Sequence, residues 1–389
     1  MERIVVVGAS LAGVRAADEL LHAGFDGSLT VIGAEAELPY DRPPLSKQVL
    51  AGSWDPEKTR LRVDPAVRER LRLGVAATAL DLVDRTVVLA DGERVPFGGL
   101  VIATGAAPRT LPGTERMGGV FVLRTLDDCR GLAAELDKGP KVAVIGAGFI
   151  GSEVAASCRA RGLDVTVIEA LDLPLLRVLG PVVGQACADL HRDHGTDLRL
   201  GIGVASLEGG SRVARVRLAD GTAVEADVVV VGVGVVPVTG WLEESGLALD
   251  DGVVCDAWCR ADGADAVVAA GDVARWFHPG FDESMRVEHW TNAAEQGAYA
   301  ARSLLGLATE PFAPIPYFWS DQYDTKIQFL GRATATDEFA VVEGSLEERR
   351  FVAAFGRGDR LVGALSMNMP HRIMAWRSRI AAADSFSGN

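Results

Sequence analysis

The sequence is poor in cysteine, and this shortage excludes several classes of protein. Its five cysteines are Cys129, Cys158, Cys187, Cys255 and Cys259. Their odd number and the lack of a CxxC or zinc-site spacing argue against a disulfide scaffold and against a zinc centre. We therefore predict five structural thiols in a protein of the reducing cytoplasm.

Long hydrophobic runs and excess positive charge are also missing. The longest apolar run, residues 228–238, contains two glycines and is too short to cross a bilayer. Met1 leads almost directly into a strand pattern, so we expect no signal peptide. With 39 basic and 53 acidic residues, the net charge of −14 argues against nucleic-acid and anionic-membrane partners. At 389 residues and 48% hydrophobic content, two or three domains with real cores are expected.

Two glycine-rich turns are the most informative features that the sequence does contain. Residues 8–13 (GASLAG) follow the apolar run 4–7, and residues 146–151 (GAGFIG) follow the apolar run 142–145. A strand that turns into a helix through such glycines presents backbone N–H groups to the pyrophosphate of a dinucleotide. One turn would suggest a dehydrogenase, whereas two predict two dinucleotides with electron transfer between them.

The two turns belong to an internal repeat. Residues 87–92 (VVLADG) match residues 216–221 (VRLADG), and each Asp-Gly pair predicts a hairpin turn. Buried strands are expected next, at 100–103 and 228–231, each ending in a glycine loop. Because strand, turn, helix, strand, hairpin and strand occur twice in the same order, the sequence indicates two related nucleotide-binding domains.

We therefore predict an α/β fold with two Rossmann-like dinucleotide-binding domains, one inserted in the other, and a C-terminal α+β domain. The expected first domain comprises residues 1–112 and 240–313. The inserted domain comprises residues 113–239, and the C-terminal domain comprises residues 314–389.

After the insertion, the pattern predicts a strand at 266–270 and a helix from about 291 to 305. Three prolines between residues 311 and 316 indicate a linker. The C-terminal piece shows strand-like stretches at 338–342 and 351–355.

Differences between the two turns indicate what each binds. The second is a complete G-x-G-x-x-G, and Glu169 ends the next strand at about the spacing of a ribose-binding acid. A carboxylate there accepts a hydrogen bond from the 2′-hydroxyl of NADH and repels the 2′-phosphate of NADPH, so we predict a preference for NADH. In the first turn Ser10 replaces a glycine, and Glu35 is the candidate ribose acceptor, a solvated loop acid being the alternative.

Residues 38–47 (LPYDRPPLSK), together with both turns, carry a resemblance to a known family. Further matching segments are Ala-Thr-Gly at 103–105, Gly-Asp at 271–272, Glu-His-Trp at 288–290 and Pro-Tyr-Phe-Trp at 316–319. Over nearly its whole length the chain resembles the flavin-dependent ferredoxin reductases of bacterial oxygenase systems. These are glutathione-reductase-like members of the pyridine nucleotide-disulfide oxidoreductase superfamily that lack the redox disulfide.

The resemblance implies FAD in the first domain and NADH in the second. The implied FAD-binding residues are Gly8, Ser10, Leu11, Ala12, Gly13, Glu35, Arg42, Lys47, Ala103, Thr104, Gly105, Arg109, Gly271, Asp272, Glu288, His289, Trp290 and Trp319. The implied NADH-binding residues are Gly146, Gly148, Phe149, Ile150, Gly151, Glu153, Glu169, Gly232 and Gly234.

Two of these residues form the implied catalytic pair. Lys47, beside the isoalloxazine, would favour the arrival of electrons. Glu153 would pair with it across the domain interface, close to the nicotinamide, and orient that ring. The alternatives are a surface lysine and, for Glu153, compensation of the helix dipole. Asp272 would bind a ribityl hydroxyl or cap a helix, whereas Trp290 and Trp319 are equally consistent with core aromatics.

No cysteine lies in residues 42–47, the stretch that corresponds to the redox-cysteine helix of thiol-dependent relatives, so thiol chemistry lacks its nucleophile. The resemblance then implies that single electrons pass to a 2Fe–2S ferredoxin that serves a haem-thiolate monooxygenase or a Rieske dioxygenase. A transient, electrostatic encounter with a monomer or weak homodimer is expected. Rubredoxin reductase and an NADH-sensing flavoprotein of apoptosis-inducing-factor type are the alternatives.

The sequence also supports predictions for two further groups of residues. The basic residues at 371–372 and 377–379 are candidates for a ferredoxin-docking patch, an ordinary solvated arginine face being the alternative. His191 and His194 lie on a probable helix with no ligand partner nearby, so we predict surface positions for both and no metal site.

Overall fold

The computed structural model describes residues 1–114 and 116–387, which form two compact units. The first unit comprises Met1–Asp41, Thr59–Ala107 and Val236–Pro316. The second unit comprises Arg42–Lys58, Pro108–Val235 and Tyr317–Asn389. Each unit is therefore assembled from segments that are distant in sequence.

The β-strands, in chain order, are β1 (Arg3–Val7), β2 (Ser28–Ile32), β3 (Leu71–Arg72), β4 (Ala77–Asp81), β5 (Thr86–Leu89), β6 (Arg94–Pro96), β7 (Gly99–Ile102), β8 (Ala106–Pro108), β9 (Val120–Phe121), β10 (Val142–Ile145), β11 (Val165–Ile168), β12 (Asp197–Arg199), β13 (Val204–Gly209), β14 (Val213–Leu218), β15 (Ala223–Glu225), β16 (Val228–Val231), β17 (Val235–Pro237), β18 (Val253–Cys255), β19 (Val267–Ala269), β20 (Ala274–His278), β21 (Glu283–Arg286), β22 (Tyr317–Gln322), β23 (Thr325–Gly331), β24 (Glu338–Ser345), β25 (Arg350–Arg357) and β26 (Arg360–Met367). The α-helices are α1 (Leu11–His22), α2 (Pro65–Arg68), α3 (Leu126–Leu136), α4 (Phe149–Ala160), α5 (Leu176–Asp193), α6 (Trp290–Leu304) and α7 (Trp376–Ala381).

The first unit is built around a five-stranded parallel sheet in the order β19-β7-β1-β2-β3. Four consecutive residues of the central strand β1 are buried, as is typical of a parallel strand that is covered on both faces. Helices α1 and α6 pack closely because Gly297 has no side chain. A Cβ on Gly297 would lie 2.3 Å from the carbonyl oxygen of Ala12.

The second unit contains an equivalent parallel sheet in the order β12-β11-β10-β16-β9. Its central strand β10 ends at Ile145, which pairs with Ile168 of β11 and Val231 of β16. In the first unit, Val7 likewise ends β1 and pairs with the last residues of β2 and β7. The predicted repeat of a Rossmann-like arrangement is thereby confirmed.

Each unit also carries a three-stranded antiparallel sheet, β4-β5-β6 in the first and β13-β14-β15 in the second. The turn before β6 contains Asp91 and Gly92, and the turn before β15 contains Asp220 and Gly221. Both glycines have positive φ, +88° and +87°, a conformation that glycine adopts without steric cost. The hairpins predicted from the two Asp-Gly pairs are therefore confirmed.

The second unit ends in an antiparallel sheet in the order β22-β23-β26-β25-β24, followed by α7. Phe329, Phe351 and Phe355 of this sheet share a buried core with Leu179 and Val183 of α5. The expected strands at 338–342 and 351–355 lie within β24 and β25, and the expected helix at 291–305 is α6. In the described part of the chain, no helix combines the length and apolar character needed to span a membrane.

Candidate functional site

The first glycine turn joins β1 to α1 and depends on two glycines. Gly8 has φ +118°, and a Cβ on it would lie 2.0 Å from the carbonyl oxygen of Ala103. Gly13 lies on α1 so close to Gly8 that its own Cβ would come 1.7 Å from the Gly8 carbonyl oxygen. Ser10 occupies the helix N-cap in an extended conformation, with φ −87° and ψ −168°. The turn thus brings the N-terminus of α1 to the carboxyl end of β1, and Ser10 replaces a glycine where glycine is not sterically required.

The second turn, between β10 and α4, is built in the same way. Gly146 has φ +98°, and its Cβ would lie 2.4 Å from the carbonyl oxygen of Gly232. Gly151 would place a Cβ 2.0 Å from the Gly146 carbonyl oxygen. Gly148, the N-cap of α4, differs from both because a Cβ on it would have no atom within 4 Å. The glycines at the two ends are needed for folding, whereas Gly148 leaves open space beside the helix N-terminus.

Acidic side chains lie after the strand that follows each turn. Glu169 follows β11, and its carboxylate accepts hydrogen bonds from the backbone N–H groups of Ala147 at 2.7 Å and Leu171 at 2.9 Å. Glu169 is therefore held at the glycine turn itself. Glu35 lies three residues beyond the end of β2 and accepts a hydrogen bond from the hydroxyl of Tyr40.

The two turns fit the phosphates of dinucleotides. Each places the N-terminus of a helix of twelve residues at the carboxyl end of a parallel strand, where the helix dipole and the first-turn N–H groups favour an anion. The open space beside Gly148 allows the close approach of a pyrophosphate. Glu169 lies at the same turn, where its carboxylate is expected to accept a hydrogen bond from a ribose hydroxyl.

In the first unit, the structure brings further candidate residues to the first turn. A Cβ on Gly271 would lie 3.0 Å from Cβ of Ala12, and the Gly271 N–H donates to Gln296 of α6 at 2.9 Å. Asp272, beside Gly271, is 9% exposed. Thr104 lies between Ala103 and Gly105. Its hydroxyl donates to the Val238 carbonyl at 2.8 Å.

The N-terminus of α6 lies directly after the segment Glu288–His289, with His289 at the N-cap. The indole N–H of Trp290 donates to the carboxylate of Asp41 at 2.7 Å. Trp290 is half-buried. Its indole N–H makes a specific polar contact, so the side chain is not a purely apolar core residue. Glu288 is exposed and pairs with Arg286 at 2.7 Å.

Lys47 and Glu153, both in the second unit, form an ion pair with 2.7 Å between Nζ and Oε2. Lys47 lies in a short π-helical segment, Leu45–Val49, whose regular geometry it interrupts with φ −119° and ψ −105°. Such local irregularities are frequent at functional sites. Lys47 Nζ also donates to the Pro43 carbonyl at 3.2 Å, so its ammonium group is held from two directions.

Sequence reasoning missed two residues that contact Glu153. Ser46 Oγ donates to Oε2 at 2.5 Å, and Ser320 Oγ donates to Oε1 at 2.7 Å. Glu153 is 2% exposed, and Ser320 is fully buried. Along β22 the buried residues 318, 320 and 322 alternate with half-buried ones, so Ser320 faces the interior. Which buried group it meets was not readable from that pattern.

The other candidate residues of the second unit lie in different settings. Phe149 packs edge-on against Phe318 with ring centroids 4.6 Å apart, and Ile150 is 47% exposed. Arg42 donates to the Arg124 carbonyl at 2.6 Å. Trp319 is half-buried and lies beside the ring of Tyr317, at 6.1 Å between centroids.

The backbone N–H of Arg109 donates to the carbonyl of Gly234 at 2.9 Å. This contact joins the loop after β16 to the chain after β8 in the second unit.

All five cysteines are buried and free of disulfides, in agreement with structural thiols. Burial raises the pKa of Cys129 to about 11 and that of Cys158, Cys187 and Cys255 to about 12. It also raises the pKa of Cys259 well above its usual value. Since the thiolate is the reactive form, these side chains are poor nucleophiles at neutral pH.

The predicted surface position of His191 is wrong. His191 is fully buried at the end of α5, with Nδ1 2.7 Å from the hydroxyl of Tyr323, which also lies 2.8 Å from Thr196 Oγ1. The turn between β22 and β23 carries Tyr323 and covers the helix end, which helical periodicity cannot reveal. Burial, with a smaller contribution from nearby His194, lowers the pKa of His191 to about 4. His194 is half-buried and stacks on Tyr323.

Comparisons with known proteins agree with this architecture. Residues 2–297 match the family described as pyridine nucleotide-disulphide oxidoreductase, and residues 317–388 match the family described as reductase C-terminal. The ferredoxin--NAD(+) reductase component of an anthranilate 1,2-dioxygenase system from Burkholderia cepacia is 40% identical, over 97% of this chain and 94% of that protein. Rhodocoxin reductase from Rhodococcus erythropolis is 37% identical, over 97% of this chain and 89% of that protein. The crystal structure of a covalent putidaredoxin reductase–putidaredoxin complex matches with a TM-score of 0.93 and 32% identity, over 98% of this chain and 93% of that one.

Proposed function

The chain belongs to the pyridine nucleotide-disulphide oxidoreductase family, and we propose that within it the protein is a ferredoxin reductase that uses FAD and NADH. The observation that carries this proposal is the pair of equivalent glycine turns, because two dinucleotide sites in one chain suit transfer of electrons between two dinucleotides. When bound, FAD supplies the chemistry that joins the two-electron hydride donor to one-electron acceptors.

The chain's own residues bind and orient the dinucleotides in this proposal. The N–H groups at the start of α4 hold the NADH pyrophosphate, and Glu169 accepts from a ribose hydroxyl. The Lys47–Glu153 pair holds a cation and a carboxylate where little water reaches them. In this proposal, their electrostatic effect on the bound nicotinamide ring is therefore larger than it would be in bulk water. From the family resemblance, we assign Arg42, Arg109 and Trp319 to FAD binding.

We further propose that the electron acceptor is a 2Fe–2S ferredoxin that serves an oxygenase and binds transiently to a monomer or weak homodimer. The names of the similar proteins support a ferredoxin as the partner class. Five free, buried thiols support action in a reducing compartment, for which we propose the cytoplasm.

Anaerobic mixing tests the proposed function directly. NADH is expected to bleach the visible absorbance of the flavin, and a 2Fe–2S ferredoxin mixed in afterwards is expected to restore it on the timescale of catalytic turnover. Flavin that NADH fails to reduce would overturn the proposal. Reduced flavin that persists in the presence of candidate ferredoxins would point to the NADH-sensing alternative instead.

The proposed docking patch, around Arg372 and Arg377, has its own test. Arg372 is 63% exposed and pairs with Glu343 at 3.2 Å. Reversing Arg372 and Arg377 to Glu is expected to raise KM for ferredoxin and to flatten its salt dependence, because ferredoxins are usually acidic. Arg94→Glu on the β4-β5-β6 sheet is a matched charge reversal. An unchanged KM for ferredoxin in the Arg372/Arg377 variant would discard the patch.

A further inference from the structure

The carboxylate of Glu153 is held by donors from two other segments of the second unit. Its Oε2 atom accepts from Ser46 and Lys47, which are neighbours in sequence. Its Oε1 atom accepts from Ser320 on β22, the first strand of the C-terminal sheet. The two oxygens are thus fixed from opposite ends of the chain, although only Lys47 carries charge.

The hydroxyl of Ser320 can donate only one hydrogen bond, and its surroundings direct that proton to Glu153. Gln322 lies two residues further along β22 and donates from Nε2 to Ser320 Oγ at 3.2 Å. Because Ser320 accepts from Gln322, its own proton is available to the carboxylate, which is a stronger acceptor than a neutral oxygen. Both Ser320 and Gln322 are fully buried.

The consequence for Glu153 follows from its burial. At 2% exposure, water has little access to Oε1, and a buried carboxylate oxygen that loses its donor is left with an uncompensated desolvation cost. The carboxylate would then rotate to share the donors at Oε2 and change the direction in which it holds Lys47. Ser320 therefore controls the orientation of the ion pair without contributing charge.

We propose that Ser320 is a positioning residue for hydride transfer, so that the C-terminal sheet completes the site on the nicotinamide side. This inference rests on the proposed function, in which Glu153 and Lys47 act at that site. Ser320 acts through Glu153 and is not itself placed against either dinucleotide.

The test compares Ser320→Ala with Ser366→Ala in FAD-loaded protein. Ser366 is an equally buried serine of the same sheet, on β26, and its hydroxyl has no hydrogen-bond partner. Anaerobic stopped-flow measures the limiting rate of flavin reduction and the apparent Kd for NADH. We expect S320A to slow the limiting rate by roughly tenfold or more, as for loss of a hydrogen bond to a charged group. The apparent Kd should change less than twofold, and S366A should leave both values unchanged.

Two further variants separate a positioning role from a structural one. Ser320→Thr keeps the hydroxyl and is expected to retain most of the limiting rate of flavin reduction. If S320A fails to fold, this variant still tests whether the hydroxyl supports that rate. In a Glu153→Gln background, S320A should cause little additional loss, because the two residues act as one unit. An unchanged rate in S320A, or an equal loss in the presence and absence of Glu153, would overturn the inference. Failure of NADH to reduce the wild-type flavin would instead overturn the proposed function.

Discussion

Replacing Gly148 by Ala is expected to damage NADH binding while leaving the fold intact. Gly148 has φ −72° and ψ −176°, a conformation open to any residue, and a Cβ there would have no atom within 4 Å. The added methyl therefore occupies only the space beside the N-terminus of α4. That space is where the proposed pyrophosphate approaches the backbone.

The expected magnitudes follow from this geometry. For the free protein, Ala is a poorer N-cap residue than Gly but also restricts the unfolded chain, and these opposing effects are each at most about 1 kcal/mol. The net change in stability should therefore be small. For the complex, displacing the pyrophosphate from one backbone N–H removes a charge-assisted hydrogen bond of about 1.5–3 kcal/mol, equivalent to a rise in Kd of roughly 10- to 150-fold.

The assay measures Kd for NADH by stopped-flow flavin reduction and the melting temperature by calorimetry. Gly210→Ala is a matched control, since a Cβ on Gly210 would also have no atom within 4 Å and the residue lies in the turn between the paired strands β13 and β14. Gly146→Ala is the opposite control, because positive φ and a 2.4 Å approach to the Gly232 carbonyl oxygen should destabilise the protein itself.

A G148A variant that keeps its melting temperature and binds NADH as tightly as the wild type would refute the reasoning. The dinucleotide would then not pass beside Gly148, and the open space there would have another explanation. Equal losses in G148A and G210A would likewise show that the effect is not specific to the turn.

Two further predictions concern Glu169 and His191. Glu169→Gln is expected to lower kcat/KM for NADH and to reduce the preference over NADPH by about tenfold or more, since a charged acceptor is lost; equal use of both nucleotides by the wild type would contradict this role. For His191, burial keeps the neutral form in the fold and lowers the pKa from its usual 6.5 to about 4. The associated stability is complete above pH 6.5 and is lost as pH falls toward 4, by about 2 kcal/mol at pH 5. Denaturant unfolding of wild type and His191→Gln at pH 7 and pH 5 should show an acid loss that is larger in the wild type by about 2 kcal/mol, and an equal loss in both would contradict it.

Much of the fold was predictable because its signals are local. Gly8 and Gly146 follow apolar runs, and their positive φ is a requirement that only glycine meets without strain. The Asp-Gly hairpins and the buried strands β7 and β16 carry equally local signals. The bounds of α6 differ from the expected ones by a single residue at each end.

The candidate site was predictable only where a motif or a resemblance carried it. The position of Glu169 at the second glycine turn was predictable, because its spacing from that turn is set by one strand-helix-strand unit, whose length varies little. Ser320 was not found, because the sequence around a strand serine does not show whether its hydroxyl will meet a carboxylate. Ser366 of β26 is equally buried, yet its hydroxyl has no hydrogen-bond partner. The burial of His191 was not predictable, because helical periodicity does not report which other segment covers a helix.

By itself, the sequence determined that this chain builds two glycine turns for dinucleotides. It also determined that residues 42–47, which include Lys47, contain no cysteine. Those properties depend on residue size, backbone conformation and order along the chain, and short stretches of sequence are enough to specify them. Only the tertiary structure decided that Ser46, Lys47 and Ser320 converge on one buried carboxylate at Glu153. That convergence depends on the packing of distant segments in one core, since a hydrogen bond of 2.5–2.7 Å tolerates little displacement.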